Sequence, residues 1–309
     1  MVRPTKSNIS NKFMDALKEK LLLGYAPGTV TLYLTKLRVL NGDAPFTSLV
    51  FLKDYEKIIE RLNAIENLNT RKSYITAVVS IIGSVNTTQY NKINAHYIKL
   101  LNDFKINIYN KMPVNEKTET QSENWLNWKE VLVQQATLQK QADLVTAAEI
   151  KNNNPNAIAS LERNLLLNFY TQIPPRRNND FYLLRYGTGG NESNWYNGDT
   201  FTFNIFKTAR KRGTEVITVT PGLKTILDNY IKIMGIKLGE YILFSSDTKR
   251  VNPSNMTKML NTIFGRKIGV SMLRHIWNSH LLGHVLPLLK SNADALSHSV
   301  ATDVAYIKV

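Results

Sequence analysis

Apolar residues recur every three to four positions over residues 12–24, 29–40, 51–62, 71–82 and 90–110. That spacing gives an amphipathic helix one buried face. Gly24 closes the first segment, Pro27-Gly28-Thr29 opens the second and Asn69-Thr70 opens the fourth. Glycine suits the left-handed turn after a helix, and proline suits a helix's first turn. The pattern predicts a small helical domain over residues 1–113. Residues 114–122 are polar, with few apolar side chains, and predict a linker to a second domain over 123–309. That second part predicts a helix over 123–143, a loop at 152–156 and an apolar helix over 157–171. The period then shortens: 181–186, 200–206 and 215–219 predict short strands. Lys207, Arg210, Lys211 and Arg212 crowd the hairpin loop between the last two. From Pro221 the pattern is helical again, apart from a loop at 245–253. The expected class is mainly α: a helical N-terminal domain, then a mixed, mostly helical domain with a small antiparallel sheet. No internal repeat is found.

Composition narrows the function classes. A chain of 309 residues, 43% apolar and 20% charged, suits two domains with real cores. No stretch approaches eighteen uninterrupted apolar residues, so no membrane span is expected. The first ten residues lack the apolar run of a secretory leader. With no cysteine there is no disulfide, thiolate metal site or cysteine nucleophile, and an intracellular protein is expected. Net charge is +15, with +7 over residues 1–120 and +8 over 121–309. Both halves therefore favour a polyanion, nucleic acid first. Lys36 and Arg38 on the second helix and Arg71 and Lys72 on the fourth, interleaved with tyrosines, are candidate contacts to a phosphate backbone. Arg176, Arg210, Lys211 and Arg212 are further candidates.

Several familiar chemistries lack support. Gly187-Thr188-Gly189-Gly190 misses the GxGxxG spacing, no GKS or GKT follows, and a strand pattern comes next, so it predicts a turn. His280 and His284 have metal-ligand spacing, but no HExxH glutamate or other ligand completes a set; no metal is expected. No GxSxG motif occurs. What remains is a series of cations and a tail. Arg176 and Arg177 follow Pro174-Pro175, Lys207 enters the hairpin, Arg274 stands in the first turns of an apolar helix, and His298 and Tyr306 come last. A charge on an apolar helix is costly unless paired. Arginine forks can hold nonbridging phosphate oxygens, and an ammonium can protonate a leaving oxygen. A tyrosine can attack phosphorus and form a covalent ester without metal, ATP or other cofactor.

In this order the residues resemble the tyrosine recombinases of the phage-integrase type. Arg177-Asn178-Asn179-Asp180 is similar to that family's first box, Leu273-Arg274-His275 to its second, and Leu296-Ser297-His298-Ser299 with Tyr306 to its close. The Pro-Pro corner and the cationic hairpin most resemble recombinases of large DNA viruses and their mobile elements. The resemblance implies a DNA core-binding domain followed by a catalytic domain. Arg177 and Arg274 would clamp the scissile phosphate and Lys207 would protonate the 5′-oxygen. His298 would assist the phosphate, and Tyr306 would form a 3′-phosphotyrosine. It further implies double-stranded DNA as partner, self-association as a tetramer on it, and an intracellular location at DNA, in the virion, host nucleus or viral factory if the protein is viral. Arg176 competes with Arg177 as the clamp, Arg210 or Lys211 with Lys207 as the acid, and a packed core role with the nucleophile role of Tyr306. A type IB topoisomerase and a DNA-binding relic that no longer cleaves are the alternative functions.

The chain departs from the family at three points. Ser271 stands where a histidine is usual; it can cap the helix and donate to a phosphate but cannot shuttle a proton. The neighbouring His275 is expected to be structural. Ser297 replaces a usual glycine. The sequence ends at Val309, where many relatives carry a further helix.

Overall fold

The structure, a computed structural model, describes residues 12–85, 88–111, 116–243 and 252–306. The chain divides into two compact units, Met1–Glu116 and Lys117–Val309.

The first unit is helical: α1 Lys12–Leu22, α2 Pro27–Leu40, α3 Tyr55–Asn63, α4 Leu68–Val85 and α5 Thr88–Asn107. Its core gathers Leu21, Leu37, Leu49, Leu52, Val78, Ile81 and Tyr97. The helix expected over 51–62 is two pieces, a single tight turn Val50–Lys53 and then α3. Asp54 separates them because its carboxylate accepts from the Lys57 backbone N–H at 3.4 Å and caps α3. The buried Tyr97 hydroxyl donates to Leu52 O at 2.9 Å and pins the turn.

Two cations expected to meet phosphate have partners within the unit instead. Lys36 follows the apolar period of α2 inward, is only 7% exposed, and donates to Ser73 Oγ on α4. Arg71 closes the end of α3, donating from Nε and Nη2 to Ile65 O at 2.9 and 2.8 Å and from Nη2 to Asn63 O at 2.9 Å. Both side chains are held inside the unit. Lys72 lies over the Tyr109 ring at 3.4 Å. Arg38 is exposed, with its Nε on Asp43 O.

The second unit opens with α6 Glu119–Asn124 and α7 Trp128–Asp143, where one helix over 123–143 was expected. Asn127 and Glu130 divide them with a reciprocal capping box, at 3.0 and 2.7 Å. Helix α6 also begins inside the stretch read as linker. Then come α8 Ala147–Lys151, the apolar α9 Pro155–Thr171 and the one-turn α10 Asn178–Phe181. Phe181 was expected to open a strand. It is fully buried at the end of α10 instead, stacked on Phe169 with ring centroids 4.4 Å apart. Burying such a ring is worth roughly 1.5–3 kcal/mol, which fastens α10 to α9.

The sheet holds β1 Leu184–Tyr186, β2 Asn194–Tyr196, β3 Thr200–Phe203 and, after the single helical turn α11 Ala209–Arg212, β4 Glu215–Thr218. Its order is β1-β2-β3-β4. It is mixed, which corrects the antiparallel expectation: β1 runs parallel to β2, with Leu184 opposite Asn194. The other two pairs are antiparallel. A parallel pair normally needs a long crossover. Here each strand is only about 10 Å long, so residues 187–193 suffice to return. The predicted turn at 187–190 forms that return. Gly187 has φ +105°, and the Trp195 ring lies where a Cβ on Gly189 would sit.

Helices α12 Pro221–Met234, α13 Pro253–Phe264, α14 Val270–Leu282, α15 Val285–Ala295 and α16 Val300–Tyr306 complete the unit. Thr220 and Asn252 cap α12 and α13, each with proline in the first turn. The loop expected at 245–253 falls largely outside the described residues. Helix α14 ends before Gly283, so His280 and His284 do not share a helix; His280 stacks on Trp128. The fold is mainly α with a small sheet. Among the described residues no helix is long and apolar enough to cross a membrane.

Candidate active site

The site begins where α9 stops. Pro174-Pro175 ends the helical run, and Arg176 and Arg177 continue extended, Arg177 being the N-cap residue of α10 at φ −77°, ψ 153°. The turn after them is fixed from several sides. Tyr170 donates to Asn178 Oδ1 at 2.6 Å, and Asn178 Nδ2 donates to Pro253 O and Thr257 Oγ1 on α13 at 2.9 and 3.0 Å. Asn194 Nδ2 donates to Asp180 O at 2.7 Å, tying the turn to β2. These buried bonds set where the adjacent arginines point.

The two arginines differ. Arg176 donates from Nε to Asp180 Oδ2 at 2.9 Å and from Nη1 to Glu215 Oε2 at 2.8 Å. Its guanidinium lies 4.1 Å from the centre of the Phe203 ring. It is therefore internally paired, unlike the free phosphate contact expected of it, and Arg177 is the freer of the two. Arg177 is half-buried, and its guanidinium has no hydrogen-bond acceptor among the described residues. Arg274 on α14 is likewise half-buried and without such an acceptor, between the fully buried Leu273 and the nearly fully buried Ile276.

Both line one open cavity of about 480 Å³, with Pro174, Asp180, Phe206 and Thr208 among its walls. Lys207 is exposed and stands between two of those wall residues. Arg212 also reaches the cavity, paired with Glu215 at 3.4 Å but 71% exposed, whereas Arg210 and Lys211 are exposed on α11. The loop from β3 to β4 is thus wider than the hairpin loop expected, because α11 is folded into it.

The carboxylates differ in kind. Burial pushes the Asp180 carboxyl above its ordinary range, against the pull of Arg176 and Arg177. The Arg176 hydrogen bond holds Glu215 below its ordinary range.

The remaining expected residues are not among the described lining of this cavity. Ser271 is exposed on α14, whose N-cap is Gly269 with no side-chain capping bond. Ser271 lines a separate depression of about 350 Å³ with Lys267 and His275. His275 is exposed there, not packed as expected. His298 lies half-buried between α15 and α16, its backbone N–H on Ala293 O at 3.0 Å, and is not among the cavity's lining residues. Ser297 before it has φ +56°, a left-handed conformation that favours glycine, so the serine strains a position where glycine would not. Ser299 caps α16, accepting from Thr302 N at 3.2 Å. Tyr306 is the last residue of α16, and its side chain lies outside the described part.

Sequence reasoning missed Asn178 and Glu215 as organisers of the site. The i,i+4 spacing of Arg176 and Asp180 was a signal for one half of the ion-pair network; nothing local signalled Glu215. Among the described residues no cluster of three or more metal-binding side chains occurs. Comparison of the chain with protein-family models, curated proteins and solved structures gave no match.

Proposed function

We propose that the protein cleaves and rejoins DNA through a tyrosyl phosphodiester, as a site-specific recombinase. The observation that carries this reading is the approach of Arg177 and Arg274 to one open cavity, 97 positions apart in sequence and both without an acceptor there. Two guanidinium forks around a cavity of that size suit a phosphodiester, whose nonbridging oxygens each accept from a fork. In this reading they neutralise the charge that grows on the pentavalent phosphorus. Lys207 protonates the departing 5′-oxygen, His298 bonds a phosphate oxygen, and Tyr306 attacks. The ester stores the bond energy, so a 5′-hydroxyl from a second strand reverses the step. Exposed cations on α11 beside the cavity and a net charge of +15 support DNA as the carrier of that phosphate. Self-association on DNA belongs to the same proposal.

The test needs no known target. A bound sequence is selected from random duplexes, and nicks are stepped across it so that a cleaved strand loses its 5′-hydroxyl fragment and cannot religate. A band stable to denaturation, formed without metal by the wild type and absent for Tyr306→Phe, is the expected result. Binding to the selected duplex with no adduct at any nick would refute cleavage and leave a DNA-binding protein.

A further inference from the structure

We propose that Arg176 is a positioning residue: it clasps the cation loop 204–214 to the segment carrying Arg177, and so sets Lys207 against the arginine cavity. The proposal rests on the DNA-cleavage reading above. Arg176 immediately precedes Arg177, and one of its bonds returns to Asp180 in the turn that fixes Arg177. Its other bond crosses to Glu215. Glu215 is the first residue of β4 and pairs with Phe203, the last residue of β3. The Phe203 ring lies 4.1 Å from the guanidinium carbon, and the Phe206 ring, next in sequence to Lys207, lies 5.3 Å from it. One planar group therefore touches both ends of the loop and the start of its excursion.

The chemistry of arginine is needed for this. A guanidinium donates in its plane from two edges while its face lies on a ring; an ammonium does only one of these at a time. Stability alone does not account for the arrangement. The side chains of Arg176, Asp180 and Glu215 are 15%, 4% and 24% exposed. Well-packed apolar residues commonly serve a site that dry as well as an ion pair does. What an apolar substitute would not supply is direction: two bonds of fixed geometry between the segment that carries one catalytic cation and the loop that carries another.

Two measurements on the full-length protein test it. Lys207, Arg210, Lys211 and Arg212 are trypsin sites within the loop. Arg176→Met keeps the stem on Phe203 but donates nothing; Glu215→Met removes the acceptor of one arm of the clasp and is the milder change. Initial cutting within 207–212 is expected to rise on the order of tenfold in both variants, because local opening sets proteolytic rate. Unchanged cutting would overturn the clasp.

The second measurement uses the nicked duplex found above, with oxygen or sulfur at the scissile 5′ position. Sulfur leaves as a thiolate and needs no proton, so a defect confined to proton donation disappears with it. Arg176→Met is expected to slow adduct formation on oxygen by about 10²-fold, the low end for losing a general acid. On sulfur it should recover beside Lys207→Ala, while Arg177→Ala stays slow. A defect equal on both substrates would overturn the positioning role. No adduct from the wild type on either substrate would overturn the cleavage reading and the positioning role with it, whereas unchanged trypsin cutting with a normal wild-type adduct would overturn the positioning role alone.

Discussion

Replacing Glu162 by glutamine should stabilise the second unit above neutral pH and change little near pH 5. Glu162 lies on the apolar helix α9 and is 8% exposed, and its Oε1 has no hydrogen-bond partner among the described residues. Burial lifts its carboxyl from 4.5 to about 7, against the opposing charge of Arg163. The hydroxyl of Tyr230 on α12 is also buried without a partner among the described residues. Burial, and then the Glu162 charge, push that hydroxyl above its usual range. The sign follows from proton counting. Below pH 4.5 both folded and unfolded chains hold the proton. Between 4.5 and about 7 the unfolded chain releases it first, so stability falls as pH rises. Above that window the whole penalty is present. At about 1.4 kcal/mol per pH decade it comes to roughly 3 kcal/mol at pH 8, and under about 1 kcal/mol at pH 5. Glutamine has the same shape and no such penalty. Glu162→Gln should therefore gain roughly 3 kcal/mol at pH 8, or about 6–12 °C in Tm for a unit of this size. All four tryptophans lie in the second unit, so urea unfolding followed by tryptophan fluorescence reports on that unit. A wild-type-to-variant difference that is the same at pH 5 and pH 8 would refute the reasoning. So would a variant less stable at pH 8.

Lys36→Met should leave DNA affinity unchanged and hold or raise the Tm of the first unit. Burial holds this lysine below its ordinary pKa, so the penalty it carries at neutral pH vanishes as pH climbs towards 10.5, and the gain from methionine should shrink with it. Melts at pH 7 and 10 with a DNA titration check this; lost affinity at unchanged Tm would return Lys36 to a phosphate-contact role. Arg210→Gln with Lys211→Gln should lower the slope of log K against log salt by about 2 if both side chains meet phosphates, since each contact contributes about 0.9. An unchanged slope in a filter-binding series would place the DNA elsewhere.

The helical framework was legible where the period was long and the caps were local. Helices at 29–40, 71–82 and 157–171 stand where expected, extended by a few residues to Pro27, Leu68 and Pro155 because helix starts are set by backbone capping that periodicity does not report. Strand β2 was not legible: Asn194-Trp195-Tyr196 is three residues with no alternation, buried on both faces. The direction of β1 was hidden for a related reason, since a parallel pair joined by residues 187–193 exists only because both strands are so short. Phe181 read as the start of a strand because β propensity reports a half-buried aromatic surface, and stacking on Phe169 supplies that surface inside a helical turn. The burial of Lys36 and Glu162 could not be read either; each interrupts an apolar face whose period alone predicts a hydrophobe.

The pairing of charges decides how the candidate site is read. Arg176 and Arg177 are neighbours with the same side chain, and sequence alone leaves either as the clamp. The difference arises from Glu215, 39 positions beyond Arg176, brought back by the β3–β4 register. Once Glu215 and Asp180 are both bonded to Arg176, Arg177 keeps its donors directed at the cavity that Arg274 shares. Two half-buried guanidinium groups around one cavity raise each other's energy, and a fold selected for stability alone would relieve that with a carboxylate. Asp180 is the carboxylate at hand, and Arg176 holds it. The arrangement keeps an open cavity positively charged, which is why the proposal puts a phosphodiester there and why Arg177→Ala, unlike Arg176→Met, should not be rescued by a better leaving group.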